Sequence, residues 1–95
     1  MSLHKTCSEH LIEARLVKAV RAAGGLCIKL IPCGLAGLPD RLVILPGGHV
    51  LFVEVKAPGA KPRPLQVKLH QQIAALGFTV LTIDNLSIIP EVLDQ

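Results

Sequence analysis

The sequence has no tryptophan, no tyrosine and only two phenylalanines, Phe52 and Phe78, in 95 residues. Reading single-stranded nucleic acid by stacking bases on aromatic rings is therefore excluded as a main mode of action, and contacts to a nucleic acid would go mainly to phosphates. Cysteine is scarce and odd in number: Cys7, Cys27 and Cys33 lack the paired C-x-x-C spacing of a zinc site. They read as buried or reduced thiols of a cytoplasmic protein, with a ligand cluster involving His4 and His10 as the other possibility these residue types leave open. Long apolar runs are also missing. The N-terminal stretch is interrupted by Glu9, His10, Glu13, Arg15 and Lys18, so neither a secretory leader nor a membrane span is expected. Charge of one sign is not concentrated either, and a formal net charge of +3 permits a polyanionic partner without requiring one.

Aliphatic side chains dominate what is present: the chain is 51% hydrophobic, far from the composition of disordered segments. Residues 1–95 read as one domain with one aliphatic core. A small domain this apolar has more greasy surface than one core hides, and a homodimer is the expected remedy.

Periodicity predicts a helix from about Thr6 to Ala23, with Thr6 and Glu9 in a capping-box pattern and Gly24-Gly25 as the stop. Ile12, Leu16, Val20 and Ala23 fall on its apolar face, while Arg15, Lys18 and Arg21 face water. A strand over 26–31 and a glycine-rich loop over 32–38 follow. Two β-rich runs, 40–45 and 49–56, flank Pro46-Gly47-Gly48 in a hairpin signature. The second run does not alternate and is expected to be covered on both faces. A Pro- and Gly-rich basic loop over 57–64, a helix over 64–76, a strand over 78–83 and a short helix after Asn85 complete the chain. The order α-β-β-β-α-β plus a terminal helix implies an α/β domain with a mixed sheet flanked by helices.

The informative residues are charged ones in apolar surroundings. Glu54 and Lys56 alternate with Val53 and Val55 and so share a strand face. A charged pair there is costly unless compensated, although it could also merely solvate a strand end. Asp40 starts the preceding strand. If Pro46-Gly47-Gly48 is a three-residue loop, Leu45 pairs with His49 and Asp40 falls opposite Glu54. A two-residue Gly47-Gly48 loop would instead send Glu54 to the other face. Two carboxylates a few ångströms apart both stay ionised only beside a cation, and oxygen donors suit Mg²⁺ or Mn²⁺. Lys56 beside them would orient an attacking water and favour the negative charge that develops on a phosphate under attack. Metal-assisted phosphodiester hydrolysis is the chemistry this trio matches.

The segment GLPDRLVILPGGHVLFVEVKAPG, with Pro39-Asp40 and Glu54-Val55-Lys56, resembles the PD-(D/E)xK nuclease signature, and nearly the whole chain resembles the stand-alone virus-type replication-repair nuclease (VRR-NUC) domains of phages and bacteria. The D…ExK pattern alone is weak. The ordered set of helix Glu, G-x-P-D, hairpin, E-V-K-x-P-G and a following Gln is far more specific.

The resemblance implies a restriction-endonuclease-like core in which Asp40, Glu54 and the backbone carbonyl of Val55 bind Mg²⁺ or Mn²⁺. It makes Lys56 the catalytic lysine and places Gln66 beside the active site. Glu13 matches the first-helix acid that faces the metal, often through water, with a simple surface salt bridge as its bland reading, whereas Glu9 has its own use in the capping box. Lys61 and Arg63 are candidates for phosphate contacts, with a solvated loop as the bland reading. His49 is expected at the surface, and His4 and His70 carry no signal. The activity implied is a DNA endonuclease of repair type, cutting branched DNA in the manner of Holliday-junction resolvases as a homodimer. It would work in the cytoplasm of a bacterial or phage-infected cell, with no nucleotide cofactor. A flap or non-specific duplex nuclease, or a catalytically silent binding domain of the same fold, are the alternatives.

Overall fold

The first helix begins where Ser8 Oγ accepts the amide of Leu11 at 3.1 Å, satisfying one of the free N–H groups at a helix start. This corrects the expected Thr6–Glu9 capping box: Ser8 is the cap, Glu9 is the first residue of α1 (Glu9–Ala22), and Thr6 lies outside the residues described. The structure is a computed structural model and describes residues 8–31 and 34–95. At the other end of α1, Gly24 takes a φ of +86°. The amide of Gly25 then reaches back to the carbonyl of Val20 at 2.9 Å, and that of Gly24 to Arg21. This is a Schellman stop, which needs a residue free of Cβ strain at its left-handed position. Ala23, expected in the core, is the C-cap and is exposed because the helix has already ended there.

Four strands follow in the order β1 (Leu26–Lys29), β2 (Arg41–Leu45), β3 (His49–Val55) and β4 (Thr79–Ile83), joined in one sheet in that spatial order. β1, β2 and β3 are antiparallel neighbours, and β4 lies parallel to β3. The parallel pair requires a crossover, supplied by α2 (Pro64–Ala75). A 3₁₀ turn (Leu86–Ile88) leads into α3 (Ile89–Leu93). The mixed four-stranded sheet flanked by helices is the fold the sequence predicts.

Strand alternation divides the sheet into two unlike faces. Val43, Leu45, Leu51, Val53, Val55 and Ile83 point to one side and are buried against Ile12, Leu16 and Val20 of α1 and Ile89 and Val92 of α3. Each such side chain contributes about 1.5–3 kcal/mol by leaving water. The opposite face carries Leu26, Ile28, Leu42, Ile44, Val50, Phe52 and Glu54. Leu69, the one buried residue of α2, lies on a stripe with the half-buried Gln66, His70 and Ile73, and α2 packs against β4. Phe52 meets Phe78 edge to face with ring centroids 6.0 Å apart. At the β1 edge the cover is missing, and Leu26 and Ile28 are exposed at 61% and 41%. β3 is therefore covered fully on its α1 face and only partly on the other, where Val50 and Phe52 remain half-buried, so the expected double cover holds for Glu54 but not for the rest of the strand.

Candidate active site

The hairpin loop decides whether the acids meet. Leu45 pairs with His49, leaving the three residues Pro46, Gly47 and Gly48 between them, with both glycines at positive φ, +89° and +81°. The ladder runs back to Arg41 opposite Val53. One step further, Asp40 leaves the β3 ladder. Its carbonyl accepts the amide of Leu30 at 2.8 Å, and its side chain turns to β3, where Oδ2 accepts the amide of Val55 at 2.7 Å. The register thus brings Asp40 to the end of β3 beside Glu54.

Glu54 is 2% exposed and is the one buried charged residue among those described. Its Oε2 accepts from Gln66 Nε2 at 2.8 Å and lies 3.4 Å from Lys56 Nζ. Gln66 is held in turn: its Oε1 accepts the amide of Arg63 at 2.8 Å, which closes the start of α2 and aims the amide NH₂ at Glu54. Burial pushes the Glu54 carboxyl above the usual carboxylate range and the nearby Asp40 pushes it further, against the pull of Lys56 and Gln66.

Four of the five side chains expected at the site, Asp40, Glu54, Lys56 and Gln66, come together. The fifth, Glu13, reaches the same end of the sheet from the α1 side. There its Oε2 accepts from Arg41 Nε at 2.8 Å, and Arg41 Nη1 also donates to the carbonyl of Cys27 at 3.3 Å. Arg41 lies opposite Val53 and so projects from the face away from Glu54. Among the described residues no three His, Cys, Asp or Glu side chains converge on one point, so Glu13 does not join the two acids directly. Lys61 and Arg63 are exposed on the loop between β3 and α2. Arg63 also borders an open cleft of about 620 Å³ lined by Gly37, Leu38, Asp40, Pro64, Leu65 and Gln66. Gly37 seats the glycine-rich loop against α2: its φ is +85°, and a Cβ there would stand 2.5 Å from the carbonyl oxygen of Leu65.

Two participants carried no sequence signal. His70, 3.8 Å from Glu54 Oε1 through Nε2, lies one turn beyond Gln66, and that i, i+4 relation on the buried stripe was the available clue. Arg41, the partner of Glu13, follows Asp40 directly. His49 is exposed as expected, and His10 is exposed at the start of α1. Of the residues of the possible cysteine–histidine cluster, Cys7, Cys33 and His4 lie outside the described residues. Cys27 is half-buried and its thiol is raised by burial. Among the described residues no helix is long and apolar enough to cross a membrane.

A mixed sheet with helices on its faces, and Pro39-Asp40 beside Glu54-Val55-Lys56 at the divergence of β2 and β3, defines a restriction-endonuclease-like PD-(D/E)xK core. No family model matches the sequence. A curated protein named "Putative nuclease p44", from Acyrthosiphon pisum secondary endosymbiont phage 1, is 48% identical over 77 residues, which is 81% of this chain and 83% of that protein. A solved structure described as a VRR_NUC domain superposes with a TM-score of 0.83 at 32% identity, covering 92% of this chain and 95% of the other. The chain belongs to the VRR-NUC nuclease family.

Proposed function

We propose that this chain is a divalent-metal-dependent DNA endonuclease that hydrolyses phosphodiester bonds in branched DNA as a homodimer, in the manner of a Holliday-junction resolvase. The observation that carries the chemistry is Glu54: a buried carboxylate beside a second carboxylate, with a lysine 3.4 Å away. The donor set fits Mg²⁺ or Mn²⁺, because both side chains offer hard oxygens and their mutual repulsion calls for positive charge. Asp40, Glu54 and the carbonyl of Val55 would hold the ion, and Glu13 would serve it through water while Arg41 fixes its other side. A bound ion supplies charge at the phosphate and an activated water.

Residues of the chain do the rest. Asp40 is fixed by the amide of Val55, so its second oxygen is free and its direction is set. Lys56, held beside Glu54, places a positive charge where the phosphate gains negative charge as one P–O bond forms and another breaks. Gln66 keeps the Glu54 carboxylate from turning. Lys61 and Arg63, exposed on the loop that leads into α2, are placed to contact backbone phosphates. The exposed apolar patch at β1 supports a two-fold dimer, since a second copy would cover Leu26 and Ile28. Such a dimer offers two sites for paired cuts in two of the four strands of a junction, and its setting is the cytoplasm of a bacterial or phage-infected cell.

The test is cleavage of a labelled four-way junction and of the matching linear duplex, by wild type and Asp40→Ala, in EDTA, Mg²⁺ or Mn²⁺. Paired, metal-dependent cuts in the junction alone, absent from the variant, are expected. Equal cutting of both DNAs would keep the nuclease and discard the junction. No cutting by wild type with either metal would favour a binding domain of the same fold.

A further inference from the structure

Two buried side-chain atoms among the described residues have no hydrogen-bond partner: Glu54 Oε1 and His70 Nε2. They face each other at 3.8 Å, beyond hydrogen-bond length but close enough that a small shift of either ring or carboxylate closes the gap. The sequence relation explains the encounter. Gln66 and His70 are one turn apart on the stripe of α2 that faces the sheet, so the helix presents two nitrogen donors to one carboxylate. Gln66 already donates to Oε2. Oε1 is the oxygen left over, and an orphaned buried polar atom is costly, a penalty carried here on both sides.

We propose that His70 is a positioning residue for Glu54: its Nε2–H donates to Oε1 and, with Gln66 on Oε2, fixes the plane of the carboxylate at the ion. This rests on the metal-binding reading of Glu54 given above. The imidazole must carry a proton on Nε2, which it does in the charged form and in one of its two neutral tautomers. The ring then completes a bracket of two donors from one helix. Its effect reaches the reaction only through Glu54, so it should appear first in metal affinity, where outer partners of a ligand typically contribute about 10–100-fold.

The experiment measures Mn²⁺ binding without DNA, by titration calorimetry, together with thermal melting of the metal-free proteins. His70→Gln keeps an N–H donor near the position of Nε2, and His70→Leu keeps bulk without a donor. The expected result is Mn²⁺ affinity within about threefold of wild type for His70→Gln and about tenfold or more weaker for His70→Leu. Both should remain folded, because His70→Leu also removes an orphaned donor. Should His70→Leu fail to fold, His70→Asn, polar but one methylene shorter, takes its place with the same expected loss. Undiminished affinity in His70→Leu, or equal weakening in His70→Gln and His70→Leu, would overturn the proposal. Imidazole nitrogen coupling to Mn²⁺ in pulsed EPR of wild type would also overturn it, by making His70 a ligand. Glu54→Gln separates the two readings: Mn²⁺ binding equal to wild type in that variant would sink the metal role of Glu54 itself.

Discussion

Asp40 accepts the amide of Val55 with one carboxylate oxygen, at 2.7 Å, so the side chain proposed to hold the ion also has a structural task. The two tasks can be separated. Asp40→Asn retains an oxygen for the Val55 amide and should melt close to wild type while losing Mn²⁺ binding. Asp40→Ala leaves that amide unpaired and should lose about 1–3 kcal/mol of stability as well, read by denaturant unfolding.

Glu54→Gln should stabilise the metal-free protein. The folded state raises the Glu54 carboxyl above its ordinary value of 4.5, so it binds the proton more tightly than the unfolded chain does. That contribution is full below the ordinary value and is lost as pH rises through the raised one. Above the ordinary value the wild type therefore bears a cost for holding this acid in the fold that Gln avoids. Melting at about pH 7.5 should favour the variant, with about 4–8 °C of shift for each kcal/mol in a domain of this size. The advantage should disappear as the buffer is brought below the ordinary carboxylate value. Adding Mn²⁺ should raise the melting temperature of wild type only.

Lys56→Ala should keep DNA binding and lose cleavage, since the ammonium beside Glu54 is assigned to charge on the reacting phosphate. Gel-shift and single-turnover cleavage measured on the same preparation check this. Retained cutting would remove the lysine from the reaction.

Glu13→Gln is expected to weaken Mn²⁺ binding about tenfold, the usual scale for a group acting on an ion through water. Arg41 complicates the reading, because the Glu13–Arg41 bond also ties α1 to the sheet. Arg41→Ala is therefore measured in parallel by melting. Undiminished Mn²⁺ affinity in Glu13→Gln, with melting lowered as in Arg41→Ala, would leave Glu13 with the ion pair alone.

Leu26→Glu combined with Ile28→Glu should convert a dimer to a monomer, because both side chains stand exposed on the uncovered part of the sheet. Light scattering gives the state directly. On a four-way junction the monomer should give single nicks in place of paired cuts.

Much of the site was legible before the structure because it depends on counting. Strand alternation put Glu54 and Lys56 together, and a three-residue loop put Asp40 at their side. What counting along strands could not reach was contact between elements distant in sequence. Glu13 has Arg41 as its partner across 28 positions, a pairing set by how α1 lies on the sheet. His70 looked featureless because a histidine in a helix means nothing until the helix is laid over a buried acid. The start of α1 was misread for a local reason: Thr6 and Ser8 are both good caps, and the chain uses Ser8. The double cover expected for β3 overreached because an apolar run reports what needs covering, and α2 alone does not span the sheet.

The parallel pairing of β4 with β3 also bears on the order in which the molecule is assembled. β2 and β3 are joined by three residues and can zip on the hairpin timescale, about 1–10 μs. That event alone brings the two acids together. The nitrogen donors of α2 arrive only when the crossover closes, a contact between distant parts of the chain and so intrinsically slower. In that order the pair of acids is assembled first, and the helix that supplies its nitrogen donors is added to a pair already in place.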